Sequence, residues 1–285
     1  MSRTASMIAP TATLIAVTIA LCCAGCGSGG DDGSAVDGGR STAPPYQGPL
    51  NAKAAVEALE CDGERPFFRA TGSYDSGLET VQPSAADAFD NYVDESGIGY
   101  RAPVKGYRVE REEAGHALIS YDVRDRSKVA VVLADGIRDW NGDVGWGVVA
   151  WALCDPAEFP AEVTDELNIG VWQDASGRRV PVTRVRSFQG AEHCSWTDVT
   201  FLLIGPDVRR ADWYVRDVSG ELIEHLRGEF DTDATVPHGA TFTGWSRGGR
   251  QLWLGPGKEA AFLVDIDDPG AVERWPAAKE PILCA

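Results

Sequence analysis

The chain has 285 residues, 44% of them hydrophobic and 24% charged, with seven Cys and a formal net charge of −17. That balance belongs to a folded globular body of one or two domains, long enough to bury a core without metals or dense disulfides. The acidity argues against a nucleic-acid partner and against a basic patch for anionic lipid. The first element is a leader: Arg3 is the one charge among Met1 to Ile8, an apolar stretch runs from Leu14 to Ala24, and Gly25 and Cys26 follow. This is the layout of a secretory signal peptide over residues 1–25. After it, the longest apolar run is Val144 to Cys154, well short of the about 20 residues a helical membrane span requires.

The ending Ala24-Gly25-Cys26 resembles the lipobox of bacterial lipoproteins, with Cys23 where Leu, Val or Ile is usual. The resemblance implies that Cys26 becomes a lipidated first residue, so the membrane is a partner through that anchor. Cysteine parity agrees. With Cys22 and Cys23 removed and Cys26 lipidated, Cys61, Cys154, Cys194 and Cys284 remain. An even set outside the cytoplasm reads as disulfides. Gly27 to Pro45 is rich in Gly, Ser and Asp, with no apolar period. Residues 26–45 are therefore a lipidated Cys on a flexible tether, spanning about 25 Å on average.

Residues 46–160 read as an α+β domain. Asn51 to Glu60 has a capping residue and apolar Ala52, Val56 and Leu59 at helical spacing. Ser84 to Ser96 is a second helix. Ser84 and Asp87 form a box-like start, Ala85, Ala88, Phe89, Tyr92 and Val93 form one stripe, and Gly97 is placed as the stop. From Tyr107 the period becomes two. Tyr107 to Glu112 and Ala117 to Val123 alternate as a half-buried hairpin, with Leu118, Ser120 and Asp122 on the second face. Val129 to Leu133 is a third strand, and Val144 to Cys154 a central one. The expected fold is helices laid on an antiparallel meander.

The pattern lapses over Pro156 to Asp165, which marks a boundary. Residues 161–285 then read as a mostly β domain, a sandwich or partial barrel without a helix. Strands are expected at Asn168–Gln173, Val180–Val185, Val199–Ile204, Trp213–Asp217, Leu222–Leu226, Ala240–Trp245, Gln251–Leu254 and Ala260–Ile266. One disulfide per domain follows: Cys61–Cys154 and Cys194–Cys284.

Motifs that could carry chemistry each have a plainer reading. Gly244-Trp245-Ser246-Arg247-Gly248 matches G-x-S-x-G, but a strand rather than a helix follows, and His238 is the last His. A Gly-rich hairpin turn explains it better. His193-Cys194 has no metal-ligand spacing around it and reads as a disulfide beside a surface His. Asp139 to Asp143 and Asp265 to Gly270 offer oxygens for calcium but complete no binding loop, and Asp-rich turns account for them. Gly97-Ile98-Gly99 and Gly145-Trp146-Gly147 lack the strand–Gly–helix context of a dinucleotide site. Among nine Trp, most lie within apolar strands. Trp140, in a polar turn, is the candidate for exposure and ligand contact.

No catalytic residue, metal or cofactor emerges, so the sequence leans away from an enzyme. The leading reading is a tethered, extracytoplasmic envelope protein that binds another protein or envelope ligand. A small-molecule or wall-glycan binding module is the first alternative, to be recognised by an aromatic-lined pocket. A wall- or ester-directed hydrolase is the second, to be recognised by a His or paired carboxylates in a cleft.

Overall fold

The alternating stretch from Tyr107 onward does form a meander. In the computed structural model, which describes residues 46–63, 66–71, 81–95 and 102–283, four strands follow one another: β2 (Tyr107–Glu113), β3 (His116–Val123), β4 (Arg126–Arg138) and β5 (Val144–Leu153). A fifth, β1 (Phe68–Thr71), joins the far side of β5, giving the antiparallel order β1-β5-β4-β3-β2. Two-residue turns close the first two hairpins, with φ of 48° and 73° at Ala114 and Gly115, and 53° and 61° at Arg124 and Asp125. Positive φ at both positions matches the right-handed twist of the flanking strands. The leader, Cys26, the tether, Gly97 and Cys284 lie outside the described residues.

Both faces of this sheet are covered. Helix α2 (Ala85–Glu95) lays Phe89 and Tyr92 on Tyr107, Ile119, Val131 and Trp151. Its start follows the sequence: Ser84 Oγ accepts the Asp87 N–H at 3.1 Å. On the other face, α1 (Ala54–Glu57) and Leu50 cover Leu118, Ala130, Val132 and Ala152. The hairpin is thus not half-buried. Leu118 and Ser120 on its second face are fully enclosed. The first helix is also shorter than Asn51–Glu60. Asn51 Oδ1 accepts the Lys53 N–H at 2.9 Å, and the Glu60 N–H leaves the helix to reach Ser127 O at 2.9 Å.

The boundary segment is not patternless: it holds α3 (Ala161–Glu166), behind Pro160. Two further antiparallel sheets follow. One contains β6 (Gly170–Val171), β8 (Val185–Gln189), β9 (Val199–Ile204) and β10 (Asp212–Asp217), in the order β10-β9-β8-β6. The other contains β7 (Gln173–Asp174), β11 (Thr241–Arg247), β12 (Arg250–Leu254), β13 (Ala260–Asp265) and β14 (Val272–Pro276), in the order β14-β13-β12-β11-β7. They pack as a sandwich, with Val185, Leu202 and Tyr214 of one facing Leu252, Leu263 and Trp275 of the other. The fold is α+β and β-rich. The described residues fall in one compact unit, within which the first sheet lies before Pro160 and the sandwich after it.

Three expected strands differ. Asn168–Gln173 splits at buried Trp172, because the chain there crosses from β6 in one sheet to β7 in the other. Val180–Val185 is extended only at its end: Pro181 has no N–H to pair, and its carbonyl accepts the Arg184 N–H at 2.8 Å in a turn. Leu222–Leu226 is a 3-10 turn over Ile223–His225. Buried Asp217 fixes it, accepting the N–H groups of Gly220 and Glu221 on Oδ1 and of Leu222 on Oδ2 at 2.9, 3.2 and 2.7 Å.

Cys61 and Cys154 are bonded, with Cα atoms 5.2 Å apart. Cys194 is disulfide-bonded as well; Cys284, its expected partner, lies outside the described residues.

Candidate functional site

The hairpin joining β4 and β5 projects its turn, Asp139 to Asp143, with the Trp140 side chain 80% exposed. Local bonds hold the turn. Asp139 N–H donates to Asp143 O at 3.0 Å, Asp143 N–H to Asp139 Oδ1 at 3.0 Å, and Arg138 Nη1 to Gly142 O at 2.7 Å. Gly142 takes φ of 92°, a conformation costly for a residue with a Cβ. The base is braced from outside the hairpin: Gln82 and Trp146 exchange backbone bonds of 3.0 and 2.8 Å. Gly145 allows that approach, since a Cβ there would come within 2.6 Å of Gln82 O. Val144, 56% exposed, adds apolar surface beside the turn. Asp135, Asp139 and Asp143 surround Trp140 in sequence, and the one cation among them, Arg138, is spent on a carbonyl.

A second feature is a cleft of about 1540 Å³ beside β8, open to solvent along part of its surface. Phe68 of β1 and Phe67 before it line it from one side, Phe188 of β8 and Ile169 before β6 from the other, and Val208 from the β9–β10 loop. Arg186 of β8 also lines it, half-buried, with Nη1 donating to Val182 O at 2.9 Å. Burial lowers the guanidinium's pKa, opposed by the charges of Asp155 and Asp207. Burial likewise raises the Asp155 carboxyl, against backbone donors from Val182 and Ala157. Asn168 stands at φ of 55° and completes the strand edge with its side chain, trading bonds of 3.5 and 3.3 Å with Gln189 O and N.

The other candidates resolve into structure. Ser246 lies in β11, paired to Gln251, and Gly248 and Gly249 make the turn into β12 with φ of 55° and 75°. No helix follows, so there is no nucleophile elbow. In the loop from Asp265, Oδ1 accepts the N–H groups of Asp267 and Asp268 at 2.9 and 3.1 Å. Asp139 is similarly used by its own turn. Among the described residues, the group of His, Cys or acidic ligand atoms close enough to hold an ion is Cys61, Cys154 and Glu158. Its sulfurs are joined to each other, and Glu158 Oε2 accepts from Lys128 Nζ at 2.6 Å.

Paired carboxylates do exist. Glu110 Oε1 and Asp122 Oδ1 both accept from Ser120 Oγ, at 2.8 and 3.3 Å. Arg108 binds both acids, and neither lines the cleft. Two carboxylates thus share one guanidinium on the α1 face of the sheet, and Glu110 Oε2 is buried without a hydrogen-bond partner.

No family model, curated protein or solved structure matches this chain. Of the residues singled out from sequence, the fold unites Cys61 with Cys154 and isolates Trp140 at a tip, away from the cleft. Arg186 went unnoticed. Its signal was available: Arg184-Val185-Arg186 sets an arginine on either side of a valine in a run that ends as a strand.

Proposed function

We propose that the chain is a non-catalytic, extracytoplasmic lipoprotein, tethered through Cys26, that engages a partner protein with its Trp140 hairpin. The observation that carries this reading is an 80% exposed Trp on a turn held by its own hydrogen bonds. Trp is among the residues that dominate interface energies, and a pre-ordered loop loses little entropy on binding. The carboxylates around it define the partner: a protein face with an apolar pocket bordered by Lys or Arg. The same carboxylates disfavour insertion into an anionic bilayer. The disulfides agree with an oxidising compartment, and among the described residues no helix is long and apolar enough to cross a membrane.

The test is a photo-crosslinking residue at Asn141 in living cells. One discrete adduct is expected, lost with Trp140→Ala and weakened with Asp143→Lys, which keeps the turn because Asp143 contributes its backbone. An adduct that persists in Trp140→Ala overturns the reading. Cys26→Ser should abolish metabolic lipid labelling and release the chain from membranes; unchanged fractionation would refute the anchor.

A further inference from the structure

We propose that the small pocket where α3 meets β6, β8 and the end of β11 binds a zwitterion of the amino-acid type, its carboxylate on Arg247 and its ammonium on Asp165. This goes beyond the Trp140 reading and concerns a different surface.

The charges are the starting point. Asp165 of α3, Gly170 of β6, Ser187 of β8, Thr200 of β9 and Arg247, the last residue of β11, line this pocket. One acid and one guanidinium thus border the same space, yet no ion pair joins them. Arg247 has no ion-pair partner among the described residues. Its cross-strand neighbour is Arg250, and like charges directly opposite are unfavourable. Glu273, at 2.7 Å, and the charge of Asp265 both serve Arg250. The Asp165 carboxylate takes no hydrogen bond from a described group. Its field reaches Arg179, whose Nη2 donates to Thr164 Oγ1 at 2.9 Å. A ligand carrying both charges answers both residues: the guanidinium fork suits its carboxylate, and Asp165 accepts its ammonium.

The lining between the charges is polar and open. Ser187 is 3% exposed, and neither its hydroxyl nor that of Thr200 is bonded to a described group. Gly170 keeps the space clear. A Cβ there would meet Ser187 Oγ at 2.1 Å and Arg247 Cζ at 2.9 Å, so hydroxyl and guanidinium converge on one glycine. Asn168 and Gln189, also at the pocket, are spent on each other. Size narrows the ligand. At about 220 Å³ the pocket falls below the roughly 300–1,000 Å³ that takes drug-sized molecules. It has room for one amino acid and not for a nucleotide or a peptide chain. A neutral sugar would leave both charges unmet, and a dianion would meet Asp165.

The experiment titrates the full-length chain with the common α-amino acids in both hands, followed by calorimetry. Saturable binding of at least one is expected. The N-acetyl and methyl-ester forms of the tightest binder should each bind at least about tenfold more weakly. Arg247→Met and Asp165→Asn should each weaken the free amino acid by a similar factor. The signature is crossed. The ester, without a carboxylate, should be indifferent to Arg247→Met, and the N-acetyl form, without an ammonium, to Asp165→Asn. Both side chains are exposed, so both variants should fold, which an unchanged melting curve checks. Trp140→Ala should bind normally, which separates this site from the hairpin. No saturable binding by any amino acid, an N-acetyl form as tight as the free one, or full binding by Arg247→Met would each overturn the proposal.

Discussion

The first sheet and the sandwich solve the same problem with different parts. Each buries antiparallel strands on both faces. In the sandwich each sheet covers the inner face of the other, so the inner contacts are spread over Leu202, Tyr214, Leu252, Leu263 and Trp275, and Leu222, Leu226 and Ile282 cover the outer face of β9 and β10. The first sheet relies on short covers, and its α1 has four residues. An isolated helix of that length has no stability of its own. Point fasteners hold it instead. Arg111 Nη1 donates to Tyr46 O at 2.9 Å, and the Cys61–Cys154 bond ties the end of the segment to β5. Lys128 Nζ, 3% exposed, reaches Glu60 O at 2.8 Å and Glu158 at 2.6 Å. Stability is thus concentrated in a few residues on one side and distributed on the other.

The sharpest way to break that comparison is to cut the fasteners. Cys61→Ala with Cys154→Ala opens a link across 93 positions, worth about 4–5 kcal/mol on the chain-entropy account. Denaturant unfolding followed by tryptophan fluorescence should show the loss. Glu158→Ala comes next. It strands the buried Lys128 ammonium, and removing one partner of a buried pair costs about 3–5 kcal/mol. Asp62, 3.7 Å from Lys128 Nζ, places the expected value at the low end. Replacing both, as Lys128→Met with Glu158→Leu, should restore most of that stability; a double variant as weak as the single one would show that the charges themselves matter.

Leu202→Ala, fully buried in the sandwich, should cost about 3 kcal/mol. Combined with Glu158→Ala it tests how far the two regions are coupled. They touch through Asp155, which caps the turn at Pro156 and also accepts the Val182 N–H. Energies within about 0.5 kcal/mol of additive would mean that this contact transmits little. Asp155→Ala alone should cost about 1–2 kcal/mol through the lost cap and the orphaned N–H.

What could be read in advance follows the same division. The hairpins, α2 and the Cys61–Cys154 link were legible because period, cap and cysteine parity are local or arithmetic. The exposure of Trp140 followed from the polar residues around it. The burial of Leu118 was not legible, because α1 packs against it from a segment roughly sixty positions away whose own pattern is short. Nor was the split at Trp172: an apolar run has the same appearance whether it stays in one sheet or crosses to another. The cleft escaped for a related reason. Phe67, Ile169, Arg186 and Val208 come from four separate stretches, and each is ordinary by itself.

The smallest expected effect sharpens the contrast at the sandwich edge, where a single turn does locally what the fasteners do at long range. Asp174 Oδ1 accepts from Ser176 Oγ at 2.6 Å, from the Ser176 N–H at 2.8 Å and from the Arg178 N–H at 3.1 Å. The Ser176 hydroxyl is the largest cause holding the carboxyl down, to about 2, with the backbone donors and Arg178 adding to it. A folded-state value below the unfolded one means that the carboxylate favours folding above the ordinary Asp range. That contribution fades as pH falls through the interval down to about 2. Carbon-detected NMR of the Asp174 carboxyl should therefore show a midpoint near 2, and Ser176→Ala should move it toward the ordinary value. Thermal unfolding should separate the charge on Asp174 from packing by Ser176. Between neutral pH and the ordinary Asp range the Ser176→Ala deficit should be constant, and below that range it should shrink. A deficit that stays constant down to the lowest pH would mean that Ser176 acts through packing, and that the charge on Asp174 is incidental to the turn.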